Sequence, residues 1–164
     1  MTTKSCDDLI FQIGEKLIQS HAFLATAESC TGGWIAQQLT ALSGSSNWFD
    51  RGFVTYSNAS KTEMLGVSEQ TLRIRGAVSE QTVREMAQGA LLNSHAQWAL
   101  AVSGIAGPGG GTEENPVGTV WFAWASKDDF LKSEVRHFEG ERVDVRGQTV
   151  INALVGLANC IDGQ

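Results

Sequence analysis

The stretch FLATAESCTGGWIAQQLTAL (residues 23–42) combines a short apolar run, a hydroxyl beside a thiol, and a glycine pair. Its first part, FLATAE (23–28), is typical of a buried strand, and GGWIAQQLTAL (32–42) is typical of a helix. A strand that passes through a tight turn into a helix is the repeating unit of α/β proteins. We therefore expect this turn at the carboxyl end of a buried strand, which is where open α/β sheets bind ligands.

The segments around this stretch continue the alternation of strands and helices. Hydrophobic periodicity predicts helices at residues 7–20, 60–65, 79–94 and 141–161, and strands at residues 48–57, 97–107, 117–126 and 131–140. The last two strands are close enough in sequence to form a hairpin, and a long glycine-rich loop precedes them. This order predicts a layered α/β domain with a mixed sheet.

The pentapeptide VSEQT occurs twice, at residues 67–71 and 78–82. A duplicated domain would share more than five residues. Serine followed by glutamate is a common start of a helix, because the serine hydroxyl accepts a hydrogen bond from a free backbone N–H. We therefore expect both copies to begin helices, with Ser68 and Ser79 as N-caps.

Composition excludes several classes of protein. The chain has 164 residues, of which 42% are hydrophobic and 18% charged, as expected for one domain spanning residues 1–164. The sequence contains neither a long apolar run nor the apolar segment of a signal peptide, so we expect no membrane span and a cytoplasmic location. A net charge of -6 lacks the basic footprint of a nucleic-acid-binding protein. Three scattered cysteines predict neither a disulfide framework nor a zinc site.

The turn after residue 28 has two interpretations. Free N–H groups at a helix N-terminus attract anions, and glycine lets a ligand approach the backbone closely. Alternatively, the glycine pair serves only a tight connection between strand and helix. The segment has no G-K-[ST] of a Walker A loop, and it does not match the G-x-S-x-G nucleophile elbow.

Other polar groups are candidates for a site on weaker grounds. SGIAGPGGG (103–111) follows a predicted strand but does not match the dinucleotide-binding pattern G-x-G-x-x-G, and its serine is either a ligand contact or a satisfied strand-end hydroxyl. Tyr56 and Lys61 lie around a strand end, where a lysine is usually a solvated charge but becomes a base when buried. Arg142 and Arg146, one helical turn apart, either reach a phosphate or form a solvated face. The histidines form no local triad pattern.

Five segments in order resemble the C-terminal domain of the CinA (competence/damage-inducible) family. The resemblance covers the chain from about residue 5 to residue 160. The segments are TAESCTGGWIA (26–36), GSSNWFDRGFVTYSNASK (44–61), GAVSEQTV (76–83), SGIAGPGGGTEENPVGTVWFA (103–123) and GERVDVR (140–146).

The resemblance implies a three-layer α/β/α sandwich and an enzyme that needs no metal or other cofactor. Stand-alone members of this family hydrolyse the amide of nicotinamide mononucleotide to give nicotinate mononucleotide and ammonia. At the matching positions, Ser29 is implied as the nucleophile and Lys61 as its base, with Tyr56 nearby. The implied partner is a small nucleotide substrate, and we expect a homo-oligomer.

The residues that hold the remainder of the substrate are less well defined. The N–H groups of three residues at the start of the helix are candidates for binding either the oxyanion or the phosphate. They are Thr31, Gly32 and Gly33. The other candidate contacts to the nucleotide are Ser45, Ser46, Ser103, Gly104 and Arg142.

Two alternatives stay open at this point. Cys30 is a possible nucleophile in place of Ser29, because a thiolate attacks more readily than a hydroxyl, although only Lys61 is evident to lower its pKa. The second alternative is a module that binds a nucleotide without chemistry, as a sensor or partner domain. The intact set of Ser29, Tyr56 and Lys61 favours the enzyme, since a binding module has no need of a base.

Overall fold

Strand β1 (Leu24–Glu28) forms from the apolar run FLATAE and lies between two parallel neighbours. The structure, a computed structural model, describes residues 3–163. Its other strands are β2 (Phe49–Val54), β3 (Trp98–Gly104), β4 (Thr119–Ser126) and β5 (Leu131–His137). Its helices are α1 (Thr3–Gln19), α2 (Trp34–Thr40), α3 (Asn58–Leu65), α4 (Glu69–Arg75), α5 (Glu80–Leu92) and α6 (Arg142–Asp162), and a short 3₁₀ helix covers Ser45–Asn47. None of the helices in the described part is both long and apolar enough to cross a membrane.

The five strands form one mixed sheet in the order β2-β1-β3-β4-β5. β1 pairs in parallel with β2 and with β3, whereas β3, β4 and β5 pair antiparallel. The chain therefore leaves β1 toward one side of the sheet and later returns on its other side. This change of direction is the switch point at which open α/β sheets bind ligands.

The two faces of the sheet carry side chains of very different size. One face presents large residues to α1, α2 and α6, among them Leu24, Leu100, Val102, Phe122 and Trp124. The other presents small residues to α5, with α3 and α4 outside it; they are Ala25, Ala27, Ala99, Ala101, Ala123 and Ala125. Strand residues alternate between faces, so this pattern is set by every second position. The predicted three-layer α/β/α sandwich with a mixed sheet is confirmed.

Both VSEQT copies begin helices, as predicted. The Ser68 hydroxyl accepts a hydrogen bond from the Thr71 N–H at 3.4 Å, and the Ser79 hydroxyl accepts one from the Thr82 N–H at 3.2 Å. Each serine occupies the N-cap of its helix, α4 or α5. The two copies of VSEQT are therefore similar because both cap the start of a helix.

The predicted ends of one strand and one helix were wrong in a way that affects the site. The strand predicted at 48–57 ends at Val54, and the helix predicted from residue 60 begins at Asn58. The reason is a capping box in which Ser57 is the N-cap, with its hydroxyl accepting from the Ser60 N–H at 3.1 Å. This cap brings Lys61 into the first turn of α3.

The close approach of α6 to the sheet generates a test of the packing. A Cβ atom on Gly156 would lie 2.1 Å from Cζ2 of the buried Trp124. Gly156→Ala should lower the free energy of unfolding by about 1–3 kcal/mol, because the overpacking cost exceeds the gain in helix propensity of about 1 kcal/mol. Urea denaturation measures the change.

Gly147→Ala on the same helix is the matched control. Its Cβ would lie 3.5 Å from the Trp34 ring, an ordinary contact, so this variant should gain up to about 1 kcal/mol from helix propensity. Equal stabilities of the two variants would contradict the proposed packing of Trp124 against α6.

Candidate active site

The carboxyl ends of β1, β2 and β3 meet at a cavity of about 220 Å³. Ser29 follows β1 directly, Tyr56 follows β2, and β3 ends with Ser103 and Gly104. The lining of the cavity consists of Ser29, Cys30, Tyr56, Lys61, Ala77, Val78, Ser103, Gly104, Ala106 and Arg142. Its charged groups are a lysine and an arginine, and its lining includes no carboxylate. Its electrostatics therefore favour an anionic ligand.

The central contact of the cavity joins Lys61 to Ser29. Lys61 is 1% exposed, and its Nζ lies 2.9 Å from the Ser29 Oγ. Nζ also donates to the Thr55 carbonyl at 2.8 Å and, at 3.4 Å, to the Tyr56 carbonyl. Burial lowers the pKa of Lys61 to about 8 from an ordinary value of 10.5, because an ammonium group loses its hydration there. A lysine with this pKa is partly neutral near physiological pH.

Local structure explains why this lysine points inward. Side chains on a helix lean toward its N-terminus. Lys61 is the fourth residue of α3, so its chain runs back past the capped first turn toward the end of β2. There it meets the Thr55 carbonyl, whose residue is also fully buried. The Ser57 cap therefore fixes the start of α3 and, with it, the position of the amine.

The glycine pair after Ser29 is required by the backbone. Gly32 and Gly33 have φ values of +60° and +99°, in the region that residues with a Cβ atom avoid. The turn reverses the chain so tightly that the Gly32 N–H donates to the Ser29 carbonyl at 3.1 Å. Both glycines are thus explained by the connection between β1 and α2, whether or not a ligand approaches them.

Glu28, the last residue of β1, binds the N-terminus of α2. Its buried carboxylate accepts hydrogen bonds from the N–H groups of Ile35 and Ala36, at 2.8 and 3.0 Å. It also accepts one from the Thr31 hydroxyl at 2.6 Å. A carboxylate at this end of a helix satisfies free N–H groups and the helix dipole. The positive end of α2 is therefore occupied by a group of the protein itself.

The thiol of Cys30 is buried beside the nucleophile candidate. Burial, with a smaller contribution from the Glu28 carboxylate, raises the pKa of Cys30 to about 11. The thiol is therefore protonated at neutral pH, which disfavours attack by sulfur.

Arg142 spans the mouth of the cavity. It donates to the Tyr56 hydroxyl at 3.0 Å and to the Gly107 carbonyl at 2.9 Å. Both Arg142 and Tyr56 are exposed, so this contact lies at the rim. Arg146, one turn further along α6, instead donates to the carbonyls of Cys30 and Thr31.

The cavity brings together six of the residues predicted from the sequence. They are Ser29, Lys61, Tyr56, Ser103, Gly104 and Arg142. Thr31, Gly32 and Gly33 adjoin it through Cys30 but are not part of its lining. Ser103 lines it while its hydroxyl donates to the Ala77 carbonyl at 2.8 Å.

Ser45 and Ser46 lie at the other end of the sheet. They form the 3₁₀ helix before β2, whereas the cavity lies beyond the end of that strand. A strand of six residues is roughly 17–20 Å long, so neither serine reaches the cavity within one chain.

Three features of the site were not predicted from the sequence. Glu28 was not recognised as the residue whose carboxylate binds the N–H groups at the start of α2, although an acidic residue at a strand end before a helix is a signal for that role. Ala77 and Val78 line the cavity but carry no polar side chain by which to identify them. The carbonyl contacts of Arg146 depend on the packing of α6 against the turn, which no local pattern encodes.

Comparisons of the sequence with a family model and with known proteins all indicate the same family. The model of the CinA C-terminal domain matches residues 7–161. The nicotinamide-nucleotide amidohydrolase PncC of Enterobacter agglomerans is 53% identical over 154 residues, covering 94% of this chain and 94% of that protein. The protein of the same name from Escherichia coli strain K12 is 51% identical, covering 94% and 93%. A CinA-like protein of Akkermansia muciniphila is 52% identical over 86% of this chain, which corresponds to 34% of that longer protein.

Solved structures agree with this assignment. The competence/damage inducible protein CihA of Agrobacterium tumefaciens superposes with a TM-score of 0.92 at 44% identity, covering 96% of this chain and 95% of that one. A CinA superfamily protein of Klebsiella pneumoniae superposes with a TM-score of 0.93 at 36% identity, over the whole of both chains. Sequence, family model and fold agree, and the chain belongs to the CinA C-terminal domain family.

Proposed function

We propose that this protein is a nicotinamide-nucleotide amidohydrolase that converts nicotinamide mononucleotide and water to nicotinate mononucleotide and ammonia. Relatives with this name align along nearly the whole of both chains at 51–53% identity. The observation that carries the mechanism is the 2.9 Å contact between the buried Lys61 amine and the Ser29 hydroxyl. A serine needs such a base to become a nucleophile.

The contacts of Lys61 suit a neutral amine as well as an ammonium ion. A neutral amine has two N–H groups and one lone pair. The carbonyls of Thr55 and Tyr56 accept from the two N–H groups, which leaves the lone pair directed at the Ser29 hydroxyl. In that state the serine donates to the lysine, which is the geometry of proton abstraction.

The first half of the proposed reaction forms an acyl-enzyme. Ser29 Oγ attacks the amide carbon as its proton passes to Lys61, and the carbonyl oxygen becomes an oxyanion. Lys61 then delivers that proton to the amide nitrogen, the C–N bond breaks, and ammonia leaves. The nicotinoyl group is now an ester of Ser29.

The second half releases the product by the same groups. Lys61, neutral again, takes a proton from water as the water oxygen attacks the ester carbon. The bond to Ser29 Oγ breaks, and Lys61 returns the proton to that oxygen. The products are nicotinate mononucleotide and free enzyme, so one water is consumed for each ammonia released.

Arg142 is the residue we propose for the phosphate. The cavity is smaller than most small-molecule sites, which are about 300–1,000 Å³, so it would enclose the amide end of the substrate and leave the sugar phosphate at its mouth. Arg142 is exposed there and forms no salt bridge within the described part of the chain. A guanidinium group matches a phosphate in charge and shape.

Ammonia release from nicotinamide mononucleotide tests the activity and the nucleophile together. We expect the wild-type protein and Cys30→Ala to release ammonia at similar rates, with or without EDTA. In each of Ser29→Ala and Lys61→Met, kcat should fall at least about 10³-fold, because removing one member of a catalytic unit costs nearly as much as removing the whole unit. A wild-type protein that binds the nucleotide without releasing ammonia would support the binding module instead. Loss in Cys30→Ala alone would make the thiol the nucleophile.

The pH dependence of the reaction tests the role of Lys61. Only the neutral amine accepts the proton of Ser29, so kcat/KM should rise with pH and level off above a pKa of about 8. The pyridinium charge of bound substrate should disfavour the ammonium form further, so the pKa seen in kcat should be lower than that in kcat/KM. The same pKa in both profiles would rule out an effect of the substrate charge.

A comparison of two substrates tests Arg142. Arg142→Met should raise KM for nicotinamide mononucleotide about 10–100-fold, the loss of one charge-assisted hydrogen bond, and leave KM for nicotinamide riboside nearly unchanged. Arg142→Lys keeps the charge, so its KM for nicotinamide mononucleotide should lie between those of the wild type and Arg142→Met. The ratio of the KM values for the two substrates cancels any effect of the substitution on Tyr56. An equal rise in KM for both substrates would therefore place the phosphate elsewhere.

A further inference from the structure

Arg146 binds the turn that carries Ser29 through two successive backbone carbonyls. Its Nε donates to the Cys30 carbonyl at 3.1 Å, and its Nη2 donates to the Thr31 carbonyl at 3.0 Å. A guanidinium group presents its donors in a fixed planar fork, so two bonds define the relative direction of two peptide groups. These are the second and third peptide groups after Ser29, since the Ser29 carbonyl and the Cys30 N–H form the first.

The guanidinium group is itself held in place. It lies over the Trp34 ring, 5.5 Å from the centroid, and its backbone belongs to the long helix α6. Trp34 is the first residue of α2, so Arg146 connects α6 to both the turn and the helix that follows it. The contact is therefore between rigid elements, with the turn between them.

Peptide planarity transmits this contact to the N–H groups of the turn. The C=O of Cys30 and the N–H of Thr31 belong to one planar trans unit and point in opposite directions. Because the carbonyl is directed at Arg146, the Thr31 N–H is directed away from it. Within residues 3–163 that N–H has no acceptor, whereas the next one, of Gly32, donates to the Ser29 carbonyl at 3.1 Å.

We propose that Arg146 is a positioning residue for Ser29: its fork fixes the second and third peptide groups after the nucleophile and thereby the turn that sets the attack geometry of the hydroxyl. It does not line the cavity, so it acts through the turn and does not touch the substrate. Glu28 holds the start of α2 on the other side, but its bonds go to the Thr31 hydroxyl and helix N–H groups. The Trp34 N–H also donates to the Thr31 carbonyl, at 3.1 Å, but among residues 3–163 Arg146 alone binds the Cys30 carbonyl and joins it to that of Thr31.

The inference rests on the proposed function and predicts a specific kinetic pattern. Arg146→Ala should lower kcat about 10²-fold, the typical loss for a small misplacement of reacting groups, and leave KM within about threefold. Arg146→Lys supplies one donor in place of two and should fall between the alanine variant and the wild type. Arg73→Ala, which removes an exposed arginine from α4, is the matched control and should keep the wild-type kcat.

Chemical rescue separates positioning from general loss of structure. Arg146 is half-buried, so the space left in Arg146→Ala is open to small solutes. Guanidinium chloride at low, non-denaturing concentration should raise the kcat of Arg146→Ala at least about tenfold, whereas methylammonium and urea should leave it unchanged. Two results with an Arg146→Ala protein that is folded by circular dichroism would overturn the inference: a wild-type kcat, or a raised KM with an unchanged kcat.

Labelling of Ser29 keeps the inference testable if the proposed activity fails. A small sulfonyl fluoride sulfonylates the serine oxygen: the S–O bond forms, the S–F bond breaks, fluoride leaves and Lys61 takes the hydroxyl proton. Intact-mass spectrometry follows the rate without any nucleotide. Labelling should be about 10²-fold slower in Arg146→Ala than in wild type or Arg73→Ala, and guanidinium should accelerate it. A wild type that is labelled but releases no ammonia would refute only the amidohydrolase. Equal labelling of wild type, Arg146→Ala and Arg146→Lys would refute the positioning role.

Discussion

The buried amine of Lys61 is the constraint on which the site depends. Lowering the pKa of Lys61 from 10.5 to about 8 corresponds to about 3 kcal/mol of destabilised ammonium. Since the pKa is lower in the folded state, the unfolded chain binds more protons between about pH 8 and 10.5, and stability rises with pH across that window. Below pH 8 the full cost is present. It is a sizeable fraction of the 5–15 kcal/mol that holds a typical domain together, so the fold keeps the Lys61 amine buried at the expense of stability.

The sheet allows this lysine to be buried because its two faces carry side chains of different size and pack against different helices. The face with large side chains packs against α1, α2 and α6 and forms the larger core. The alanine face lets α5 lie close to the strands. α3 in turn packs against α5, and the two helices approach most closely near their own carboxyl ends. Gly89 of α5 shows how close this packing is, since a Cβ there would lie 1.9 Å from the Leu65 carbonyl oxygen. The rigid position of α3 fixes the Lys61 backbone, and the Ser57 cap fixes the direction of its side chain.

Local signals predicted most of the helices and strands, whereas they did not predict the contacts between distant segments. The strand, the turn and the helix of residues 23–42 follow from periodicity and glycine, and Ser29 and Lys61 were identified by resemblance. The start of α3 was predicted two residues too late because Ser57, Asn58 and Ser60 all suit an N-cap, and the sequence does not rank them. Arg146 lies 116 positions from Cys30, so its bond to that carbonyl depends on the docking of α6. Ser45 and Ser46 belong to a segment similar to the family, yet the strand that follows carries the chain away from them.

Burial also has different consequences for the serine and the cysteine that lie side by side at this turn. Desolvation disfavours the charged form of every group, so it acts with opposite sign on a base and on an acid. It lowers the pKa of Lys61 to about 8, which makes the amine available, and raises the pKa of Cys30 to about 11, which keeps the thiol protonated. The hydroxyl needs only a neutral base in contact, and Lys61 lies 2.9 Å away. A thiol would need the opposite environment, one in which a cation stabilises the thiolate. The same burial that leaves the Lys61 amine partly neutral beside Ser29 therefore keeps the Cys30 thiol protonated.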